Sequence, residues 1–144
     1  MDWKSFDRGV FLVNCLGIVY KEGKILIGKR DKDPYIPQLS WCFPGGRPTY
    51  THSLQTCLMM EIKKKTNLEV NVLDVIFTRT MPEKPEFLNI YYFCEVTDES
   101  PKEKPGEKFK ELKWVKPTEV EEYFTTSIDP VVMSFLQALE KGEI

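Results

Sequence analysis

At 144 residues the chain has the length of one domain built on one hydrophobic core. Its composition, 42% hydrophobic and 29% charged, is that of a folded globular protein and excludes a disordered or coiled-coil chain. A net charge of -2 argues against a general nucleic-acid or membrane-surface binder, either of which would show a basic excess, so any anion must be held by a local patch.

In chain order, the apolar run from Val10 to Tyr20 is too short to span a bilayer and is interrupted by Asn14. It follows Asp7 and Arg8 without the layout of a signal peptide, which leaves a cytoplasmic protein as the expectation. From Phe11 onward the same run is rich in β-formers and predicts a strand. Lys21-Glu22-Gly23-Lys24 is turn chemistry, and Ile25 to Ile27 is the returning strand of a hairpin. Residues 31–40 contain Pro34 and Pro37 and predict a loop. Trp41-Cys42-Phe43 is a short strand stopped by a turn at Pro44-Gly45-Gly46. A helix follows, capped by Thr51 or Ser53, with Leu54, Cys57, Leu58 and Ile62 at helical spacing. Lys63, Lys64 and Lys65 fill its last turn, and Asn67 suits the left-handed residue that ends it.

Two long strands come next, Leu68 to Thr80 and Phe87 to Val96, joined by a loop with Pro82 and Pro85. Residues 98–108 are polar and contain Pro101 and Pro105, a surface loop, and Phe109 to Val115 is a last strand. Pro117 starts a short helix at Thr118–Tyr123, and Pro130 opens a terminal one whose apolar face is Val131, Val132, Phe135, Leu136 and Leu139. Strands with one helix in the middle and helices at the end indicate an α/β chain, a mixed β-sheet flanked by helices, as one domain over residues 1–144. Cys15, Cys42, Cys57 and Cys94 show no C-x-x-C spacing and His52 is the only histidine, which excludes a Cys/His zinc site. The cysteines read as reduced core thiols.

The stretch from Trp41 to Leu68, WCFPGGRPTYTHSLQTCLMMEIKKKTNL, is similar in spacing to the Nudix box. With the motif glycine at Gly46, the first acid of the box falls on His52, Arg-Glu on Met60-Glu61, the Glu-Glu pair on Lys64-Lys65, and the second glycine on Asn67. The flanks ILIGKRD and ELKWVKPTEV resemble that family's strands, so the likeness runs from Phe11 to Tyr123. It implies the Nudix (MutT-like) fold, an α+β sandwich. It also implies a substrate in which a nucleoside diphosphate is linked to another group, with Mg²⁺ or Mn²⁺ to neutralise the diphosphate and activate water.

In the family pattern the five charged places of the box hold four acids and one arginine. Here they are His52, Met60, Glu61, Lys64 and Lys65, and the sign of the site is reversed. A divalent ion about 4 Å from one ammonium is repelled by roughly 8 kcal/mol at an effective dielectric near 20. A millimolar metal site is worth only about 4 kcal/mol. No metal is therefore expected in the usual place.

The expected ligand is a nucleotide-type small molecule. Its phosphates would be held by Arg30, Gly45, Gly46, Arg47, Lys64 and Lys65, and Tyr35 or Trp41 would stack on a base. Each has a plainer alternative: Lys64 and Lys65 as solvated helix-end cations, Trp41 as core, His52 as a loop residue facing water. Glu61 is the catalytic group if activity survives, or simply an i, i+4 partner of Lys65. Glu61, Glu107 and Glu111, with Glu83 and Glu86 leaning in, are the acids from which a weak metal site would be rebuilt. The first functional expectation is a nucleoside-diphosphate binder with little or no metal-dependent hydrolysis. The alternative is an Mg²⁺- or Mn²⁺-dependent pyrophosphohydrolase of a substrate such as ADP-ribose or a nucleoside triphosphate. A protein-interaction domain using the Pro82–Pro85 and Pro101–Pro105 loops comes third. The chain is expected as a monomer or homodimer.

Overall fold

The computed structural model describes residues 9–144, so Asp7 and Arg8 lie outside the described residues. Seven strands form one mixed sheet: β1 (Leu12–Lys21), β2 (Lys24–Arg30), β3 (Trp41–Cys42), β4 (Gly45–Gly46), β5 (Val70–Met81), β6 (Lys84–Val96) and β7 (Phe109–Val115). Helix α1 (Leu54–Thr66) follows β4. After β7 come a 3-10 turn (Pro117–Glu119), α2 (Val120–Tyr123) and α3 (Pro130–Glu140). The mixed sheet flanked by helices is the expected architecture. No helix is long and apolar enough to cross a membrane among the described residues.

Strand alternation fills both faces of the sheet. Ile18, Ile25, Ile27, Tyr91 and Phe93 join Val120, Val132 and Leu136 of α2 and α3 on one side. Val19, Leu26, Tyr92 and Cys94 meet Leu58 and Ile62 of α1 on the other. The hairpin after β1 turns through Glu22 and Gly23, both at positive φ (50° and 82°). Ser53, rather than Thr51, caps α1 by accepting the Thr56 N–H, and Asn67 ends it at φ 67°.

What positions the site is a split in the sheet. β1 pairs with β2 only over the hairpin end, Val19–Leu26 to Lys21–Lys24. Further along, β1 takes β4 as a neighbour (Cys15 with Gly46, Leu16 with Gly45), while β2 takes β3 and β7. The β3–β4 segment bridges the gap, and the Pro44 carbonyl accepts the Gly17 N–H at 2.8 Å.

Two expectations are corrected. The loop placed at Pro82 and Pro85 is a tight hairpin, with β5 reaching Met81 and β6 starting at Lys84. Pro85 fits inside β6 because it falls where the register with β5 slips, between Thr80 and Met81, so its missing N–H leaves no ladder bond unmade. Pro44-Gly45-Gly46 is not a glycine turn either. Gly45 and Gly46 are extended and paired with β1, and glycine is required at Gly45 for close approach: a Cβ there would lie 2.0 Å from the Cys15 carbonyl oxygen.

Candidate functional site

Where β1 and β2 part, a cleft of about 420 Å³ opens. β1, β5 and β6 form its floor, residues 33–39 one wall, and residues 124–128, between α2 and α3, the other. Its apolar part is a cluster of rings: Phe43 stands edge-on to Phe124 at 4.9 Å and to Tyr91 at 6.3 Å. The 124–128 strand of chain is tied across the fold. Glu83 accepts the Ser127 N–H at 2.6 Å and its hydroxyl at 3.1 Å, and Arg79 donates to the Ser127 carbonyl at 2.8 Å.

The charged end is built on the last turn of α1. Glu61 and Lys65, four residues apart, share a helix face, and the Lys65 ammonium lies 3.4 Å from Glu61 Oε2. The same ammonium donates to the Gly45 carbonyl oxygen. Glu61 in turn lies against β4, where a Cβ on Gly46 would come within 2.7 Å of its carboxylate. The Lys65 side chain is only 8% exposed, which corrects the solvated helix-end reading for this residue. Burial pulls its pKa below the ordinary 10.5, with the Glu61 charge opposing. Lys64 is the solvated one: its side chain is 54% exposed, 3.8 Å from Glu61 Oε1, and outside the cleft lining.

The polar loop before β7 brings further charge. Its backbone docks on the end of α1, with the N–H groups of Lys104, Gly106 and Glu107 donating to the carbonyls of Thr66, Lys65 and Lys64 at 2.9, 2.9 and 3.4 Å. These are helix-end acceptors that otherwise lack partners. The docking carries Glu107 and Lys108 into the cleft.

On the opposite wall, Arg30 pairs with Asp33 at 3.2 Å, while Asp33 also accepts the N–H groups of Tyr35 (2.8 Å) and Ile36 (2.7 Å). Arg30 Nε is buried without a hydrogen-bond partner among the described residues. Arg47 lies over the rings of Tyr35 and Phe87, at 4.8 and 5.3 Å. Tyr35, half exposed, stands edge-on to Phe87 at the mouth. The cleft is lined by five cations, Arg30, Arg47, Lys65, Arg79 and Lys108, against three carboxylates, Asp33, Glu61 and Glu107. Cations thus outnumber carboxylates in its lining.

A family model for the NUDIX domain matches residues 11–135. The chain belongs to the Nudix family. Its fold is similar to that of a NUDIX hydrolase from Nitrosomonas europaea, with TM-score 0.75 and 18% identity over 94% of this chain and 75% of that one. It is similar also to the MutT protein from Methanosarcina mazei Go1, with TM-score 0.70 and 16% identity over 96% and 99% of the two chains. A third neighbour is an ADP-ribose pyrophosphatase from Streptococcus suis 89-1591, at TM-score 0.64 and 13% identity over 92% and 91%. No curated protein matches the sequence. At such identities the likeness is one of fold.

In the Nudix box register, the cleft gathers Gly46, Glu61 and Lys65 but not His52 or Lys64. His52 is exposed, its Nδ1 2.9 Å from the Thr51 hydroxyl. Of the other expected residues, Arg30, Tyr35, Gly45, Arg47 and Glu107 are in the cleft. Glu111 is not: it stands opposite Lys29 on β7. Neither do the hairpin acids lean in, since Glu83 is taken by Ser127 and Glu86 by Lys84 at 3.2 Å. Trp41 is half-buried and packs against the core, edge-on to Tyr123 at 5.6 Å. All four cysteines are free. Cys42 touches the cleft with its thiol pushed up to about 12, chiefly by burial. Sequence reasoning missed Asp33, Arg79, Lys108 and Asn89 as cleft residues. For Arg79 and Asn89 the available signal was a polar side chain inside an apolar strand, where burial without a partner is costly; Asp33 and Lys108 lie in loops and carried no such signal.

Proposed function

We propose that the cleft binds a nucleoside-diphosphate-type ligand with Lys65, not a divalent ion, as the cation beside Glu61, and that metal-dependent hydrolysis is slight or absent. The observation that carries this reading is the position of the Lys65 ammonium. It engages the Glu61 carboxylate and the Gly45 carbonyl, two oxygens that a cation on this turn of α1 would need. The residues present do not fit Mg²⁺ or Mn²⁺ there. Among the described residues no three His, Cys, Asp or Glu side chains gather as metal donors, and an ammonium already sits at the remaining oxygens. A tethered ammonium with Arg30, Arg47 and Lys108 around the same cleft supplies the positive charge a diphosphate needs.

Titration calorimetry tests this with ADP-ribose, NAD, nucleoside triphosphates and sugar nucleotides, in EDTA and again with Mg²⁺. Binding is expected in EDTA, weakened by salt and by Lys65→Met. No heat from any ligand, or binding that appears only with Mg²⁺, would sink the reading.

One observation favours the alternative hydrolase. The docked loop places Glu107 in the same cleft as Glu61, the beginning of a relocated acid pair. That reading requires Mg²⁺- or Mn²⁺-dependent release of phosphate or nucleoside monophosphate, lost in Glu61→Gln. Turnover at the buffer rate across the ligand panel excludes it.

A further inference from the structure

The floor of the cleft carries a polar stripe of three side chains. Asn14 on β1 pairs in register with Asn89 on β6, and Asn89 with Arg79 on β5, so the three stand side by side across adjacent strands. Residues opposite one another in a sheet share a face, and all three line the cleft. The rows on either side are apolar, Phe87 and Met81 in one direction, Leu16 and Tyr91 in the other.

Asn89 is only 3% exposed, and its carboxamide carries two donor hydrogens and a carbonyl acceptor. One hydrogen bond joins the pair, from Asn14 Nδ2 to Asn89 Oδ1 at 3.1 Å. Among the described residues no partner takes up Asn14 Oδ1 or Asn89 Nδ2. Turning both amides over exchanges which residue donates and still leaves one amide oxygen and one amide nitrogen of the pair unused. Arg79 is held beside them by the Tyr91 hydroxyl (3.4 Å) and the Ser127 carbonyl (2.8 Å).

An acceptor next to a donor, set between apolar rows and close to packed rings, is the complement of a flat heterocycle with both functions on its edge. Phosphate oxygens are acceptors only and match half of it. We propose that Asn14 and Asn89 form a base-reading element, pairing with the hydrogen-bonding edge of a nucleobase while Tyr91 and its neighbouring rings take the base's apolar surface. The inference rests on the anion-binding reading of the Lys65 end, and it makes the base a source of selectivity. An inorganic polyphosphate would leave the spare amide acceptor unmet.

The test is calorimetry in EDTA with ADP, GDP, CDP and UDP, set against inorganic pyrophosphate, ribose 5-phosphate and the four free nucleosides. The wild type is expected to bind at least one nucleoside diphosphate roughly tenfold tighter than pyrophosphate, and to separate the best base from the worst by about as much. Asn89→Leu should bring the four within about twofold of one another and leave pyrophosphate affinity unchanged. Asn14→Ser, at a half-buried position, should narrow the spread in the same direction. Thermal unfolding of each variant establishes that the protein titrated is folded. The proposal is overturned if no base adds affinity over pyrophosphate, if ribose 5-phosphate competes as well as a nucleoside, or if both folded variants keep the wild-type preference. Pyrophosphate binding without base selectivity removes this inference and leaves the anion site standing. Nucleoside binding that Asn89→Leu abolishes, with no pyrophosphate binding, does the reverse.

Discussion

The two ends of α1 meet different surroundings. The first turn lies in solvent: Ser53 caps it, Tyr50 and His52 beside it are exposed, and no charged residue there reaches the cleft. The last turn is covered. Thr66 is fully buried, its hydroxyl returned to the Ile62 carbonyl at 2.7 Å, and the helix-end carbonyls are taken by the 104–107 backbone. A helix turns about 100° per residue, so Lys64 and Lys65 part company within this turn. One ammonium goes to water and the other to the charged end of the cleft. The Nudix box runs through both turns, yet cover, not motif position, decides which of its charges faces the cleft.

The sharpest way to break that contrast is Lys65→Met. It removes charge-assisted hydrogen bonds to Glu61 and Gly45 and leaves the Glu61 carboxylate without its buried partner. Because the Glu61 side chain keeps 24% exposure, water recovers part of the loss. Chemical denaturation should show a fall of about 2–3 kcal/mol, below the full cost of orphaning a buried ion. Diphosphate affinity should drop roughly a hundredfold. The pH dependence carries a sign as well. Since burial holds the Lys65 pKa below 10.5, the unfolded chain binds that proton more tightly than the folded one. Stability should therefore rise with pH through the window between the folded value and 10.5, relative to the Lys65→Met variant. A variant as stable and as tightly binding as the wild type would mean that Lys65 is a bystander.

Gly106→Ala tests the cover itself. A Cβ at Gly106 would sit 2.0 Å from the Lys64 carbonyl oxygen, too close for any side-chain adjustment, so the loop must lift and its hydrogen bonds to α1 open. A loss of about 1–3 kcal/mol is expected. Amide exchange at Lys104 and Gly106 should speed up by a matching factor, and unchanged exchange would refute the docking.

Glu83→Gln should cost less, about 1 kcal/mol, by weakening the bonds to Ser127 at the other wall. Burial raises the Glu83 pKa, but the hydrogen bonds and Arg79 outweigh it and hold the group below 4.5. Its contribution is thus present above 4.5 and lost as pH falls through the depressed folded value. Acid titration of wild type against variant should show the two converging there.

The fold was legible because its signals are local and repeated. Alternation, the Glu22-Gly23 turn, the Ser53 cap and Asn67 at the helix end each need only neighbours in sequence. The hairpin at Pro82 was misread because a proline stops a strand only where its N–H is needed, and a register slip removed that need at Pro85. The site was legible in part. Glu61, Lys65, Arg30 and Arg47, singled out by box register and charge, and Tyr35, by its aromatic ring, line the cleft, but which lysine is buried depends on a loop some forty residues downstream. Asn89 lies in an apolar strand, and its meaning appears only when β1 sets Asn14 beside it.

The smallest effects belong to the uncovered positions, and they complete the contrast. His52→Ala removes a side chain whose one hydrogen bond among the described residues is to the exposed Thr51 hydroxyl. Lys64→Met removes an ammonium that is 54% exposed and 3.8 Å from a carboxylate already paired with Lys65. Surface changes of this kind shift stability by about 0.5 kcal/mol or less. Lys64→Met should weaken diphosphate binding by no more than about threefold, through long-range charge that salt screens. The informative measurement is the ratio of the two lysine variants at low and high salt. A loss on Lys64→Met equal to that on Lys65→Met would mean the ligand is gripped from the solvent face of α1, and the cleft would no longer explain why one lysine of the pair is buried.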